Sequence, residues 1–480
     1  MLEGLEISEV VYSWILANNF DLRIDSEYFL KKYTHIDNVL SRIGTKCIKE
    51  ISSKITDGTH YTPDYQDTGY KFFSAINVSD NYFDADAGFK YISEKEHKQL
   101  FSRCNPVEND VLLRKVGVGD RKACVVPKMD EQFSIFVSVA LIKCKSINPY
   151  FLSTFINSKY GQSQLLRFNK GIGQPDLHLE DIARCQIPML NETFQLRIEQ
   201  LVKIAHKIIQ QSKEQYTKAE NLLVKELGLE NWQPSKDATT VQTFGNTQTS
   251  NRWDAEYYQP KFEELKQKLL AYANSTKSLS QIADTYRGDL INDDLYCDDI
   301  NCSAYIRGAD ISSNELKEDK MVYIDKLFVP DNEIKCQLND IVFALIGSVG
   351  TAALVTSPFV GSYISNNLGL IRITDNSIKA EYLHLFLTTP SLGGLLFEQK
   401  EKRTAQPKIS DNDIWDFPVP LLDSAKQDEL AVMIQDSMKL EAESQRLLEV
   451  AKRTVEIAIE ENEEKAIQYI NEYGKSLYDK

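Results

Sequence analysis

One ordered set of short motifs occurs twice in this chain, about 230 residues apart, and that repeat limits the fold more than any other feature. Self-similarity at a fixed period dictates architecture, because each copy is a structural unit of the same kind. Near the start of each copy, Arg23-Ile-Asp-Ser-Glu-Tyr28-Phe29 corresponds to Arg252-Trp-Asp-Ala-Glu-Tyr257-Tyr258. In mid-copy, Asn109-Asp110-Val111 and Gly117-Val-Gly119 correspond to Asn339-Asp340-Ile341 and Gly347-Ser-Val-Gly350. Later, Gln174-Pro175-Asp-Leu177 corresponds to Gln406-Pro407-Lys-Ile409. Last, Ile187-Pro188 with Gln195 corresponds to Val419-Pro420 with Gln427. Each motif alone is a weak signal, but four in one order at one offset leave chance a poor explanation. The competing reading is two β-rich domains that share common turn chemistry.

Each copy reads as a short helical lead, a mixed α/β globule and a long helix. The first globule has short apolar strands at Asp110–Leu113, Ala123–Val126 and Val137–Ile142. The second has Asp340–Ile346, Ala352–Val355 and Leu368–Ile373 in matching places. One helix is predicted from Pro149 to Leu166 and its counterpart from Ala380 to Glu398. After Pro188 the pattern changes. Phe194, Ile198, Leu201, Ala205, Ile208, Tyr216, Ala219, Leu223 and Leu227 recur at helical spacing up to Gly228. After Pro420 a second stripe runs through Leu430, Met433, Ile434, Leu440, Leu447, Ala451, Val455, Ala458 and Ile459. A narrow stripe of that length calls for a partner helix, which the other copy supplies, or else for its own globule.

The expected fold class is therefore α+β, with two α/β globules in tandem joined by two long, antiparallel, coiled-coil-like spacer helices. The boundaries are a helical lead at 1–50, a first globule at 51–188 and a first spacer at 189–232. A polar linker follows at 233–251, then a lead plus second globule at 252–420 and a second spacer at 421–480.

Bulk properties exclude several classes. The 480 residues exceed one core, and no apolar run of about 18 residues exists to cross a membrane. The acidic N-terminus lacks a signal peptide's basic start, so a cytoplasmic chain is expected. The eight cysteines form no CxxC pair, and no metal site is expected. The net charge of −15 argues against a uniformly basic nucleic-acid binder, so the placement of charge matters more than its total. From Asp423 onward there are 14 acidic and 8 basic residues, whereas residues 51–188 hold 16 and 17. The cations Arg114, Lys115, Arg121, Lys122, Lys128, Arg167 and Lys170 make the first copy the candidate phosphate-facing surface.

No catalytic constellation emerges. The phosphate loop, the dinucleotide fingerprint, the GxSxG elbow and HExxH are all absent. Asn148-Pro-Tyr-Phe151 is similar to the target-amine loop of amino-methyltransferases but lacks its second proline and any cofactor motif. Pro330-Asp331 with Glu333-Ile-Lys335 is similar to a nuclease signature, but the spacing is too short to put the acids on separate strands.

At this point the chain resembles the specificity subunit of type I restriction–modification systems over residues 21 to 470 or so. Ile55-Thr-Asp57-Gly58-Thr59-His60 looks like the Asp-Gly-Thr/Asn-His opening of that family's target-recognition domains. Gly171-Ile-Gly173-Gln174-Pro175-Asp-Leu177, with Ile187-Pro188 and Gln195, looks like their tail. In the second copy Thr404-Ala-Gln406-Pro407-Lys-Ile409, Phe417-Pro-Val-Pro420 and Gln427 do the same. That copy departs in having Arg287-Gly-Asp289 for Asp57-Gly-Thr-His60, and no glycine before its Gln-Pro loop.

The resemblance implies two target-recognition domains, each reading half of a split site in double-stranded DNA. It implies that the chain binds no cofactor and catalyses nothing. Two methyltransferase subunits would bring S-adenosylmethionine, and motor-nuclease subunits could join them. Spacers of roughly 35–40 residues would span about 55–60 Å, an upper bound of about 17 base pairs between half-sites. Base and phosphate contacts need Arg, Lys, Asn or Gln at groove edges. The candidates are Arg114, Lys115, Arg121, Lys122 and Gln174 in the first copy, and Lys402, Arg403, Gln406 and Lys408 in the second. The bland alternative for each is a solvated side chain or, for the glutamines, a loop-closing hydrogen bond. At the level of the chain, the alternative is a non-catalytic protein-binding scaffold, with two similar globules on a helical dimerisation stalk.

Overall fold

The computed structural model describes residues 9–13, 15, 23–86, 88–117, 119–168, 175–272, 275–297, 302–312, 314–318, 321–325, 327, 334–402 and 406–475. They form two compact units, Met1–Gln210 with Leu440–Lys480, and Gln211–Lys439.

In the first unit, Asp25 caps a short turn at Ser26–Phe29 by accepting from the Tyr28 N–H, and helix α1 (Lys31–Leu40) follows. Strand β1 (Thr45–Cys47) leads through the short helix α2 (Ile48–Ile51) into β2 (Ser52–Asp57). Next come β3 (Tyr65–Gln66), β4 (Tyr70–Phe73), β5 (Lys90–Ile92), α3 (Glu94–Arg103), β6 (Val111–Arg114), β7 (Ala123–Val125), β8 (Ser134–Ile135) and β9 (Val139–Cys144). Helices α4 (Pro149–Asn157), α5 (Lys159–Arg167) and α6 (Leu179–Arg184) precede β10 (Gln186–Pro188), which closes the globule antiparallel to β1.

The main sheet has the order β2-β9-β6-β7, and a smaller sheet has the order β3-β5-β4-β8. Alternate residues of a strand face opposite ways, and here both faces are apolar. Val111, Leu113, Ala123, Val125, Ala140 and Ile142 join the core that contains α4. Leu112, Cys124, Val126, Val139 and Leu141 join the core against Phe73, Phe83 and Phe133. Burial on both faces explains why these strands read as unbroken apolar runs.

The second unit repeats this plan. Its strands are β11 (Thr276–Ser278), β12 (Ala283–Arg287), β13 (Tyr296–Cys297), β14 (Ser303–Ile306), β15 (Ile311–Ser312), β16 (Glu315–Leu316), β17 (Val322–Ile324), β18 (Ile341–Ala344), β19 (Ala352–Leu354), β20 (Tyr363–Ile364), β21 (Leu368–Ile373) and β22 (Pro418–Pro420). Its main sheet is β12-β21-β18-β19 and its smaller one β13-β17-β14-β20. In each smaller sheet the last pair is parallel and the others antiparallel. The closing ladder pairs Thr276 with Pro420, as Thr45 pairs with Pro188.

The spacers are long helices, α7 (Glu192–Glu226) and a second at Ser424–Glu460, each contributing to both units. They run antiparallel, as each unit shows by itself. In the first, the Asn191 N–H donates to Glu463 while the Ser444 hydroxyl donates to the Ala205 carbonyl. In the second, the hydroxyls of Ser212 and Ser437 each donate to the other residue's carbonyl, at 2.8 and 3.0 Å, and Glu226 acts electrostatically on Lys426. The apolar stripes serve partner and globule together. Phe194, Ile198, Val202 and Ala205 share one core with Leu447, Ala451 and Val455, and with Phe151 and Phe155 of α4. At the end of α7, Gly228 at φ +66° lets its own N–H reach the Lys225 carbonyl and that of Leu229 reach Val224, a Schellman closure.

Three expectations need correction. The helix predicted at 149–166 breaks at Ser158, which ends α4 and caps α5. Its counterpart breaks at a π-helical turn, Pro390–Gly394, between helices Ala380–Thr388 and Leu395–Lys400. The chain folds back so closely there that a Cβ on Gly161 or Gly393 would collide with the carbonyl of Phe155 or Leu387. The stretch taken as a plain linker also holds a seven-residue helix, Phe244–Ser250, capped by Thr243.

The repeated sheets fill one space in two ways. Leu113 pairs with Ala140, while at the same register Phe343 pairs with Gly369. A Cβ on Gly369 would lie 2.5 Å from the Phe343 ring. Gly369→Ala is therefore expected to cost about 1–3 kcal/mol by overpacking. Adding Phe343→Leu should recover part of that loss. The check is a double-mutant cycle on urea midpoints, with the two substitutions expected to be clearly non-additive.

Candidate nucleic-acid interface

Three segments meet at one end of each main sheet: the loop after β2 or β12, the loop after β6 or β18, and the Gln-Pro loop. The backbone joins them identically in both units. The Gly117 N–H donates to the Pro175 carbonyl and the Leu177 N–H to the Lys115 carbonyl, at 3.2 and 3.0 Å. Gly347 donates to Pro407 and Ile409 to Leu345, both at 2.9 Å. Gly58 and Gly288 lie at one register, so tightly seated that a Cβ would strike the carbonyl of Ile135 or Ile364. Asn109 and Asn339, both with positive φ, turn the chain into β6 and β18. Asp110 and Asp340 accept from the Val107 and Gln337 N–H groups, and also pair with Lys143 and Arg372.

On this shared frame the side chains diverge. In the first unit, Asp57 is buried at the end of β2. Arg103, Lys115 and His60 each place a nitrogen 3.4 Å from its carboxylate. Lys115 also reaches Asp176 at 3.2 Å. Asp57-Gly-Thr-His60 is thus the wall of an internal ion cluster, with His60 exposed at its rim. In the second unit the three matching positions hold Arg287, Leu345 and Lys408. Arg287 is exposed and donates through Nε to the Asn366 carbonyl at 2.9 Å.

The candidate residues of the first copy are mostly committed to the fold, which corrects their assignment to a groove-facing surface. Arg121 is fully buried and donates to the Gly117 and Pro175 carbonyls at 2.8 and 3.1 Å, tying two loops together. Arg114 donates to the carbonyls of Ala75 and Val78. Burial holds both guanidinium groups below the usual arginine range. Lys115 is 3% exposed, and Lys122 is largely covered between Asp80 and Asp120. Arg167 is buried over the Tyr28 ring and paired with Asp37. A cation spent this way has no surface left for a phosphate. Gln174 lies outside the described residues.

The second copy differs. Lys402, Gln406 and Lys408 are exposed, and Lys402 and Lys408 exchange main-chain hydrogen bonds at 2.9 and 3.3 Å. Arg403 lies outside the described residues. Arg287 was not among the sequence candidates, although its replacement of the Asp57 position was visible as a departure from the first copy. Among the described residues no group of three or more His, Cys, Asp or Glu side chains is placed to hold a metal, and no helix is long and apolar enough to cross a membrane. Gln195 and Gln427, which end the motif set, are structural. Each accepts from the N–H opening a helix of its unit, Asn148 or Lys379, and donates to a carbonyl five residues back.

The internal cluster predicts a strong response to losing its cation. Removing one partner of a buried pair typically costs about 3–5 kcal/mol, because the other charge stays buried. Lys115→Met should destabilise the first unit by about 2–4 kcal/mol, since Arg103 remains beside Asp57. Adding Asp57→Asn should return a large part of this. Guanidinium unfolding followed by intrinsic fluorescence measures both, and equal losses for the single and double variants would refute the cluster's role.

No protein-family model and no curated protein sequence matches the chain. Among solved structures, the chain is similar to the S subunit of a type I restriction–modification system from M. genitalium, at 11% identity and a TM-score of 0.34, over 89% of this chain and 96% of that one. It is similar to the HsdS subunit from Thermoanaerobacter tengcongensis at 13% identity and a TM-score of 0.29, over 87% and 96% of the two chains. A third similar chain, at 12% identity and a TM-score of 0.29 over 88% and 97%, comes from a structure described as showing complex assembly and conformational transition of the type I R-M system.

Proposed function

We propose that this chain is the DNA-specificity subunit of a type I restriction–modification complex. Each unit would read one half of a bipartite site in double-stranded DNA. The observation that carries this reading is one backbone frame, built twice in register, that presents different side chains at the same sheet end. Two readers of unlike half-sequences need a constant scaffold and variable loops, because base identity is read by side chains at groove edges. A scaffold recognising two copies of one ligand would have no use for a charge reversal there. The ordered motifs, from Asp57-Gly-Thr-His60 to Gln427, support the same family reading.

On this reading the chain is not an enzyme and binds no cofactor. Two methyltransferase subunits supply S-adenosylmethionine and adenine methylation, and motor-nuclease subunits complete a restriction complex. The antiparallel helices, to which both units contribute, are the surface on which those subunits assemble.

The test is an exchange of residues 51–188 for another variable domain, followed by sequencing of methylated bases in DNA exposed to the assembled complex. One half of the modified site should change and the other stay. If neither half changes, the chain is a protein-binding scaffold. The purified chain with S-adenosylmethionine should leave DNA unmethylated, and methylation by the chain alone would overturn the proposal.

A further inference from the structure

We infer that the second unit grips the phosphate backbone of duplex DNA through Arg287 and Lys408, with Lys402 beside them, at the positions where the first unit neutralises itself internally. The inference rests on the DNA-reading function proposed above and assigns a contact surface within it. It reverses the expectation from overall charge, which made the first copy the phosphate-facing one.

The register makes the comparison direct. Asp57 and Arg287 are the last residues of matching strands, opposite Ala140 and Gly369. Lys115 and Leu345 each accept, through the main chain, from the residue two positions after the loop proline. Asp176 and Lys408 each follow that proline. These three positions carry a net charge of −1 in the first unit and +2 in the second. In the first, the charges meet: Lys115 lies within 3.4 Å of both Asp57 and Asp176. In the second, leucine replaces the central lysine, and among the described residues no carboxylate pairs with Arg287 or Lys408.

Arg287 and Lys408 are both exposed, and neither has a carboxylate within ion-pair distance among the described residues. The Arg287 contact to Asn366 is made through Nε, on a side chain that is otherwise exposed. Among the acidic groups nearby are Asp289, exposed two residues beyond Arg287, and Asp413, 3.7 Å from Lys402. The second dilutes the charge of Lys402, so Arg287 and Lys408 carry the site. The segments bearing them are joined through the main chain. Arg287 contacts Asn366, the Leu345 N–H donates to Asn367, and Ile346 bridges to Lys408. A guanidinium and an ammonium held on three linked backbone segments, without a carboxylate partner among the described residues, match a row of phosphodiesters better than one small anion.

The experiment measures binding of the full chain to a fluorescent mixed-sequence DNA duplex across a salt series. Each phosphate neutralised contributes about −0.9 to the slope of log K against log salt. The double variant Arg287→Gln/Lys408→Gln should bind with a slope shallower by about 1–2, and with an unchanged melting temperature because both side chains are exposed. The charge-preserving variant Arg287→Lys/Lys408→Arg should keep the wild-type slope, which separates lost charge from lost fold. If wild type binds and the glutamine variant keeps its slope, the contact surface is wrong while the DNA-reading function stands. A wild-type chain that binds no duplex at all would overturn both.

Discussion

Everything in either unit hangs on a four-stranded sheet with apolar side chains on both faces. Such a sheet is stable only if a layer covers each side, and the two layers come from opposite kinds of structure. One is helical: α4 with the spacer helices in the first unit, and Ala380–Thr388 with them in the second. The other is the smaller sheet and its aromatic packing, with Phe73, Phe83 and Phe133 in edge and stacked contacts. The spacers are therefore part of each globule's core as well as partners to one another. A spacer helix with its stripe facing only its own kind could slide. One that also buries Phe194 against Phe151 is fixed to its globule.

That constraint explains which parts of the sequence repeat. The recurrent motifs are those that hold main chain in place. Asn109 and Asn339 turn it, Asp110 and Asp340 cap it, Gly58 and Gly288 let strands approach, and Gln195 and Gln427 stitch a helix start to a spacer. They were legible because each is a residue type tied to a backbone geometry. The strands and the antiparallel spacers followed from hydrophobic period for the same reason. The breaks at Ser158 and at Pro390–Gly394 were missed because apolar residues resume on the far side of each, although Ser158 with Gly161, and Pro390 with Gly393-Gly394, mark them in the sequence.

The candidate site residues were much less legible, for a physical reason. A run such as Arg114-Lys115 and Arg121-Lys122 has the composition of a phosphate-binding patch, yet its charge is consumed by Asp57, Asp176, Asp80 and several carbonyls. Those partners lie up to about sixty residues away, so no local reading pairs them. A cation's meaning depends on whether the fold supplies its counter-charge. Lys408 is a candidate from its place in the Gln-Pro loop, whereas Arg287 becomes notable when strand register sets it against Asp57.

Net charge misleads in the same way. The chain's −15 includes the spacer and C-terminal carboxylates, many held in pairs such as Arg446 with Glu443 and Arg453 with Glu460. Paired charges on the helices largely cancel at distances beyond a Debye length of about 8 Å, so a charged ligand brought to the sheet end would meet chiefly the local set there. There the two units differ by three charges on one frame. Since that frame is held by backbone hydrogen bonds, charge at its rim can change without moving the loops. A duplicated fold whose loops are positioned by main chain can therefore let its copies diverge in what they read while both keep one core.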